Sequence, residues 1–590
     1  MAEVRSANRE LGMRSDWWWL GPVLSAGVFL RLWGIGFGLP GLYHPDEGFV
    51  VRQALAFGAG YFQPYEYVHS PLLPYIVAVL YGLHFLFGLA TGRFQSPSDL
   101  AILYFNDPSS FYLLARLTSA AFGVAAIWVA YSLARKAYGR AAALVAALCV
   151  ALSPILVRHA HYALYDVAVS CSVLVALTLL WGYAEEPGRR RFIVASVAVG
   201  LAVAMKHLAA PVAVSLVAAV VWVSRRKRWP ALETMEQLVL GAVVALLAFV
   251  IVSPFTVLDF RNFWSDAVLH QLVIQTQGGQ ELSQVVAFYF EELTTGGLGL
   301  PLLIAAGVGM LYALWRRRSA DIVLGAFTVS YVAELLSQKW VQQNWMVTLL
   351  PVLAIFAGMS LDLIWRAISR THARWWPAAL VVLGIALVPM AGRSYEVSLL
   401  FSLPDTRSIA REWVEANIPA GAKVLLDSKW TVPQLRESRE NLTRSLDERA
   451  ASKRIETRSE STQAVYGQYT NYQLRALDSY SGPTYDIEYI NHEWWQADES
   501  SPDIEVYPVW GTFEGQVFSV EELLAQGTEY VVVSSLKYNQ YLREGGQERW
   551  PSYYALYTSL DERCTLLKAF WPQAGVNGPV IKVYDLRPAP

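Results

Sequence analysis

Gly200-Leu-Ala-Val-Ala-Met-Lys-His-Leu-Ala-Ala-Pro211 joins two apolar runs, 192–206 and 208–223, into a hairpin whose far ends carry basic clusters. Arg189, Arg190 and Arg191 precede the first run, and Arg225, Arg226, Lys227 and Arg228 follow the second. Each run reads as a membrane crossing, where only helices satisfy the backbone. Basic residues stay on the cytoplasmic side, so the hairpin tip points outward. Lys206 at that tip must snorkel or meet an anion, and a lipid phosphate is the natural anion at that depth.

The same reading extends in both directions. Apolar runs at about 17–36, 111–133, 141–157, 167–183, 237–255, 296–315, 320–336, 343–364 and 375–393 join the hairpin pair to predict eleven crossings. The loops this order places inside hold Arg135, Lys136 and Arg140, then Arg316 to Arg318, then Arg366, Arg370 and Arg374. The outer loops hold few basic residues: Arg52, Arg93, Arg158, Arg261 and Lys339. The run Pro71 to Leu89 is not counted, because a crossing there would turn every later basic cluster outward; it is expected along the membrane surface, broken by Pro71 and Pro74.

Composition agrees with a polytopic membrane protein: 54% of the 590 residues are hydrophobic and 16% charged, with the charges dense only after about residue 400. The expected division is a membrane domain, 1–395, with a first outer loop at about 37–110, and an extracytoplasmic α/β domain, 396–590. In the latter, Asp405 to Gly421 opens with an amphipathic helix. Strands are expected at Lys423 to Leu426, Tyr530 to Val533, Thr565 to Phe570 and Val580 to Tyr584, with a helix at Val520 to Ala525. The charged stretch 434–463 is expected as a solvated helix or an insertion.

Arg5, Arg9 and Arg14 precede the first run, which carries a Trp cluster and Arg31 and no small-residue cleavage site. It therefore reads as a retained anchor with a cytoplasmic N-terminus. Cys149, Cys171 and Cys564 show no metal spacing and predict no disulfide framework. A net charge of −2 argues against a nucleic-acid partner. Gly-rich phosphate loops, HExxH and GxSxG are absent, and no repeated halves suggest a transporter.

The parity of the spans places the chemistry-bearing residues on one outer face. Gly41-Leu-Tyr-His-Pro-Asp-Glu-Gly48 carries Asp46 and Glu47 just outside the first span, where a carboxylate can act as general base or metal ligand. An acidic interfacial turn is the plain alternative. Ser153-Pro to Asp166 brings Arg158, His159, His161 and Asp166 to the mouth of two spans. Two histidines at i and i+2 make a weak zinc site; phosphate contact by Arg158 or a histidine, with Asp166 as second acid or orienting group, is the sharper reading, and an interfacial polar belt is its equal alternative. Arg31 and Arg116 sit within spans; Arg31 is expected to snorkel and Arg116 to meet the outer carboxylates. His69, His270 and Lys339 complete the outer set; the glutamine-rich loop that carries His270 reads by default as a solvated loop, with a lid as the alternative.

Tyr43-His-Pro-Asp-Glu47, His69-Ser-Pro-Leu-Leu-Pro-Tyr75, Ala115-Arg-Leu-Thr-Ser119, Ser153-Pro to Asp166 and the Lys206 hairpin together resemble the polytopic glycosyltransferases of the C-type fold, GT-C. The likeness is to the bacterial relatives of protein O-mannosyltransferases and of the aminoarabinose transferase acting on lipid A. Asp405-Thr-Arg407 also looks typical of these bacterial proteins.

The resemblance implies transfer of a hexosyl or pentosyl unit, with inversion, from a polyprenyl-phosphate carrier to a glycan, lipid or protein acceptor on the outer face. It implies Asp46 as base, accompanied by Glu47, and Asp166 as second acidic group. Lys206, Arg116, Arg158, His159 and His161 become candidates for the donor phosphate, and His69, His270 and Lys339 for substrate loops. Some relatives use a divalent metal, for which Asp46, Glu47 and Asp166 are the candidates. Departures are Gln338-Lys-Trp-Val-Gln-Gln-Asn344, where Lys339 stands in for the family's Arg-Tyr pair, and the missing β-trefoil domain of eukaryotic members. The alternative is a non-catalytic member of the fold, a structural or lipid-binding subunit of a membrane complex.

Overall fold

The computed structural model describes residues 2–64, 67–269, 271–272, 279–371, 376–450, 460–490 and 518–587. The chain divides into two compact units. The first comprises residues 1–35, 49–81 and 112–399, and the second 36–48, 82–111 and 400–590.

The first unit is helical. Among the described residues seven helices are long and apolar enough to cross a membrane, or up to nine if each of two bent pairs is one span. Six of the seven lie at expected spans, as do the bent pair Arg140–Leu152 with Pro154–Ala160 and the Leu300–Arg316 half of the other pair, whose first half, Leu282–Gly297, precedes the span expected at 296–315. The other three expected spans coincide with helices Ala2–Leu32, Arg189–Met205 and Trp376–Ser402. The seventh, Leu72–Ala90, is the run expected along the surface; its 19 residues are apolar enough to cross. The helices at Arg140–Leu152 and Pro154–Ala160 meet at a 56° bend.

That bend explains Arg31, which does not snorkel. Proline has no N–H, so Pro154 leaves the carbonyl four residues back, Val150, without its helical donor. The fully buried Arg31 supplies it, donating to Val150 at 2.8 Å and to Ala151 at 3.0 Å, with a third bond to Gly27 at 3.1 Å. The arginine caps the helix that Pro154 interrupts, and it fastens the first helix to the broken one.

Without a hydrophobic force between helices in lipid, close approach through small residues drives packing. Helix Leu350–Thr371 lies against both Leu300–Arg316 and Arg140–Leu152. A Cβ at Gly309 would meet the Phe356 carbonyl oxygen at 2.1 Å, and one at Gly358 the Ala142 carbonyl oxygen at 2.3 Å. Both obstacles are backbone and cannot swing away. Gly358→Val is therefore expected to destabilise the membrane unit by about 1–3 kcal/mol, as overpacking does, read as a lowered thermal midpoint in detergent.

In the second unit, β1 (Lys423–Leu426), β2 (Asp486–Tyr489), β3 (Tyr530–Ser534), β4 (Thr565–Phe570) and β5 (Ile581–Asp585) form one sheet in the order β2-β1-β3-β5-β4. β1 runs parallel to β2 and β3, and β5 runs antiparallel to β3 and β4. Strand alternation builds two cores. Val424, Leu426, Ile487 and Val532 pack with Ala410 and Val414 of helix Thr406–Asn417. Leu425, Val531 and Val533 face Leu556, Tyr557 and Leu560 of helix Pro551–Arg563. β3 is buried on both faces, which accounts for its unbroken apolar run. Buried Asp427, just past β1, locks the layers by accepting from the Ser534 N–H at 2.9 Å and the Tyr557 hydroxyl at 2.5 Å. Within the charged stretch, Arg439–Ala450 is helical, and residues 451–459 lie outside the described residues.

Candidate functional site

The hairpin topology sets the centre of the site in the first unit. Helices Asp166–Glu185 and Arg189–Met205 are joined by a short turn, so the N-terminus of one lies beside the C-terminus of the other. Asp166 is the first residue of its helix and Lys206 the residue that ends its own; each charge sits at the helix end whose dipole favours it. Lys206 Nζ donates to Asp166 Oδ1 at 2.6 Å, and His159 Nδ1 lies 3.7 Å from Asp166 Oδ2. Both side chains are largely buried, 3% exposed for Asp166 and 13% for Lys206. An ammonium carries three N–H donors, and this contact uses one.

The loop bearing His69 reaches the same place. Ser70 Oγ donates to the Val203 carbonyl at 3.3 Å, three residues before Lys206. The His69 ring lies 4.9 Å from that of Tyr165, the neighbour of Asp166, and 5.5 Å from Phe49. Phe49, Gln53, His69, Ser70, Pro71 and Tyr165 line a small cleft there. Two carboxylates that the sequence reading did not single out hold this loop. Asp259 Oδ2 accepts from the Tyr67 hydroxyl at 2.9 Å and from Gln63 at 2.8 Å, and Asp266 Oδ2 accepts from the Tyr67 N–H at 3.1 Å. Burial, with Asp259 alongside, raises the Tyr67 phenol well above its ordinary range, so it stays a donor. The signal in sequence was the pair of acidic residues in the aromatic-rich outer segment Phe255 to Asp266.

The remaining basic candidates divide by environment. Arg158 is exposed and donates to Gln343 Oε1 at 3.2 Å, and Gln343 in turn donates to Glu292 at 2.5 Å. Arg116 is buried and gives one N–H to the Ile35 carbonyl at 3.0 Å. His161 is fully buried with its ring nitrogens 2.8 Å from the Val157 carbonyl and 3.0 Å from the Trp33 carbonyl, a position that fastens backbone. Burial lowers its pKa despite those carbonyls. Lys339 is exposed, and its carbonyl accepts from the Gln280 N–H at 3.2 Å. His270 lies outside the described residues.

Asp46 and Glu47 belong to the second unit. Asp46 is half-buried, and its N–H points at His44 Nδ1 at 3.3 Å. Glu47 is fully buried and opens helix Glu47–Gly58, again at the end that favours an anion.

Residues 111–257, which contain Arg116, Arg158, His159, His161, Asp166 and Lys206, match the family model described as dolichyl-phosphate-mannose-protein mannosyltransferase. This segment is mannosyltransferase-like. The resemblance to membrane glycosyltransferases read from the sequence is borne out by that match. Comparison with curated proteins finds no match.

Solved structures similar to the chain include the Archaeoglobus fulgidus oligosaccharyltransferase in complex with Zn and sulfate, at 14% identity and a TM-score of 0.48, covering 95% of this chain and 72% of that one. The Archaeoglobus fulgidus oligosaccharyltransferase AglB with an inhibitory peptide and a dolichol-phosphate is 12% identical, with a TM-score of 0.48 and coverage of 89% and 70%. ArnT from Cupriavidus metallidurans bound to undecaprenyl phosphate is 15% identical, with a TM-score of 0.48 and coverage of 96% and 98%. Among the described residues of this chain, no group of three His, Cys, Asp or Glu side chains is arranged to hold a metal ion, and Asp166 turns its oxygens to Lys206 and His159. The residues present do not fit a metal centre there.

Proposed function

We propose that this chain is a glycosyltransferase that moves a hexosyl or pentosyl unit from a polyprenyl-phosphate carrier to an acceptor on the outer membrane face, with inversion. The observation that carries the reading is the Asp166–Lys206 pair, 2.6 Å apart, inside the mannosyltransferase-like segment. The N-terminus is cytoplasmic and the C-terminal domain extracytoplasmic, as the basic loops direct.

Asp46 takes the proton of an acceptor hydroxyl as that oxygen bonds to the anomeric carbon. The bond from that carbon to the phosphate oxygen breaks, and the carrier leaves with the electron pair as a phosphate monoester. The leaving phosphate gains negative charge, so it needs cations rather than a proton. Lys206 meets it with the N–H donors that Asp166 leaves over, and Arg158 and His159 are its further partners. Asp166 holds the ammonium in place. A donor placed where charge develops contributes about 2.7–4 kcal/mol to barrier lowering.

The test uses full-length protein in lipid nanodiscs with undecaprenyl phosphate carrying radiolabelled mannose, glucose or arabinose, and bacterial envelope lipids and glycans as acceptors. Label moving to an acceptor, with free undecaprenyl phosphate appearing in equal amount, is the expected result. Carrier bound but never consumed, whichever sugar it bears, would make the chain a lipid-binding subunit instead.

A further inference from the structure

We infer that Asp405-Thr406-Arg407, at the head of the C-terminal α/β domain, is the positioning device for the acidic pair Asp46-Glu47. This rests on the reading that Asp46 takes the acceptor proton. Each residue of the motif has a separate task. Asp405 caps helix Thr406–Asn417 by accepting from the Arg407 N–H at 2.8 Å. Its two oxygens also grip the Arg407 guanidinium, at 2.8 Å from Nε and 2.7 Å from the terminal nitrogen, a two-point fork that fixes the plane of the group. Thr406 anchors the motif to the turn before β5, with its hydroxyl 2.6 Å from the Pro579 carbonyl and its N–H 2.8 Å from that of Asn577.

The oriented guanidinium lies 3.9 Å from the centre of the Tyr43 ring, and its remaining nitrogen donates to the Trp430 carbonyl at 3.0 Å. The next residue, Ser408, has its Oγ 3.0 Å from the Tyr43 hydroxyl. Burial pushes that phenol up to about 12, so it remains neutral and hydrogen-bonded. Glycine at position 41 is what lets the ring fold back, since a Cβ there would lie 2.6 Å from the Tyr43 hydroxyl oxygen. Gln434 reads the preceding residue as a strand would, accepting from the Leu42 N–H at 2.9 Å and donating to its carbonyl at 2.6 Å.

These contacts converge on two consecutive residues, Leu42 and Tyr43, immediately before the carboxylates. Beyond them only His44 and Pro45 remain; Pro45 fixes its own φ, and Glu47 starts a helix. Asp46 is therefore held between an anchored tyrosine and a helix start. A domain that merely hung from the chain by residue 400 would have no reason to grip residues 42 and 43. The α/β domain is thus part of the catalytic apparatus through the loop it holds.

Full-length protein in nanodiscs tests this with two readouts, turnover of whichever undecaprenyl-phosphate sugar the wild type consumes and hydrogen exchange of amides 42–47. Arg407→Ala is expected to lower kcat about tenfold or more with KM for the carrier within about twofold, and to speed exchange of 42–47 while the sheet stays protected. Arg407→Lys, which keeps the cation over the ring but loses the fork, should restore part of kcat.

If Arg407→Ala does not fold, Tyr43→Phe and Ser408→Ala carry the test: each should lower kcat equally, and the double variant should be no worse than either. Wild-type kcat in Arg407→Ala, or unchanged exchange of 42–47, overturns the inference, as does additive loss in the double variant. A wild type that consumes no carrier, or an active Asp46→Asn, overturns the functional reading instead, and the exchange measurement then decides the positioning by itself.

Discussion

Asp46→Asn is expected to lower sugar transfer by about 10²–10⁴-fold, the range a general base contributes, while carrier affinity stays within about twofold of wild type. The amide keeps the shape of the carboxylate and cannot accept the acceptor's proton. Asp46 suits the role because it is half-buried, whereas Glu47 is fully enclosed at the start of its helix. The two acids should therefore separate by experiment. Glu47→Gln removes an anion from a helix N-terminus and is expected to act mainly on stability, whereas Asp46→Asn acts on rate. Initial rates of undecaprenyl phosphate release, set beside native mass spectrometry of the carrier-bound protein, measure both. More than half of wild-type turnover in Asp46→Asn would remove it as the base.

Where the physics is one-dimensional, the sequence was readable. Span length and apolarity depend on local composition, and each of the eleven expected spans coincides with a helix. Strands with apolar runs were equally plain. β2 was not, because Asp486-Ile-Glu-Tyr489 buries Ile487 fully and Tyr489 only in part against the core, and looks like a loop. Arg31 was misread for a related reason. Its partners are the Val150 and Ala151 carbonyls, about 120 residues away, and the vacancy it fills is created by Pro154 on another helix. In hindsight the proline after an apolar helix is the signal that some buried donor must exist. Asp259 and Asp266 escaped notice because their work is to hold Tyr67, a contact that exists only in three dimensions.

Lys206 and Asp166 were each legible as outer-face charges, but not as partners, and the pairing changes how they must be tested. Removing one member of a buried ion pair leaves the other uncompensated, which costs about 3–5 kcal/mol, whereas replacing both can be nearly neutral. Lys206→Met and Asp166→Asn are each expected to destabilise the membrane unit by that amount and to abolish transfer, so inactivity in either alone cannot be told from unfolding. The double variant separates the two effects. Its thermal midpoint should recover most of the loss, since neither charge is left alone, so the two single-variant losses should be far from additive. Its turnover should not recover, because the ammonium that meets the leaving phosphate is gone. A stable double variant that transfers sugar at the wild-type rate would reduce the pair to a clamp between two helix ends and pass the phosphate to Arg158 and His159. A double variant no more stable than its parents would mean that the 2.6 Å contact is not the unit that holds these helices.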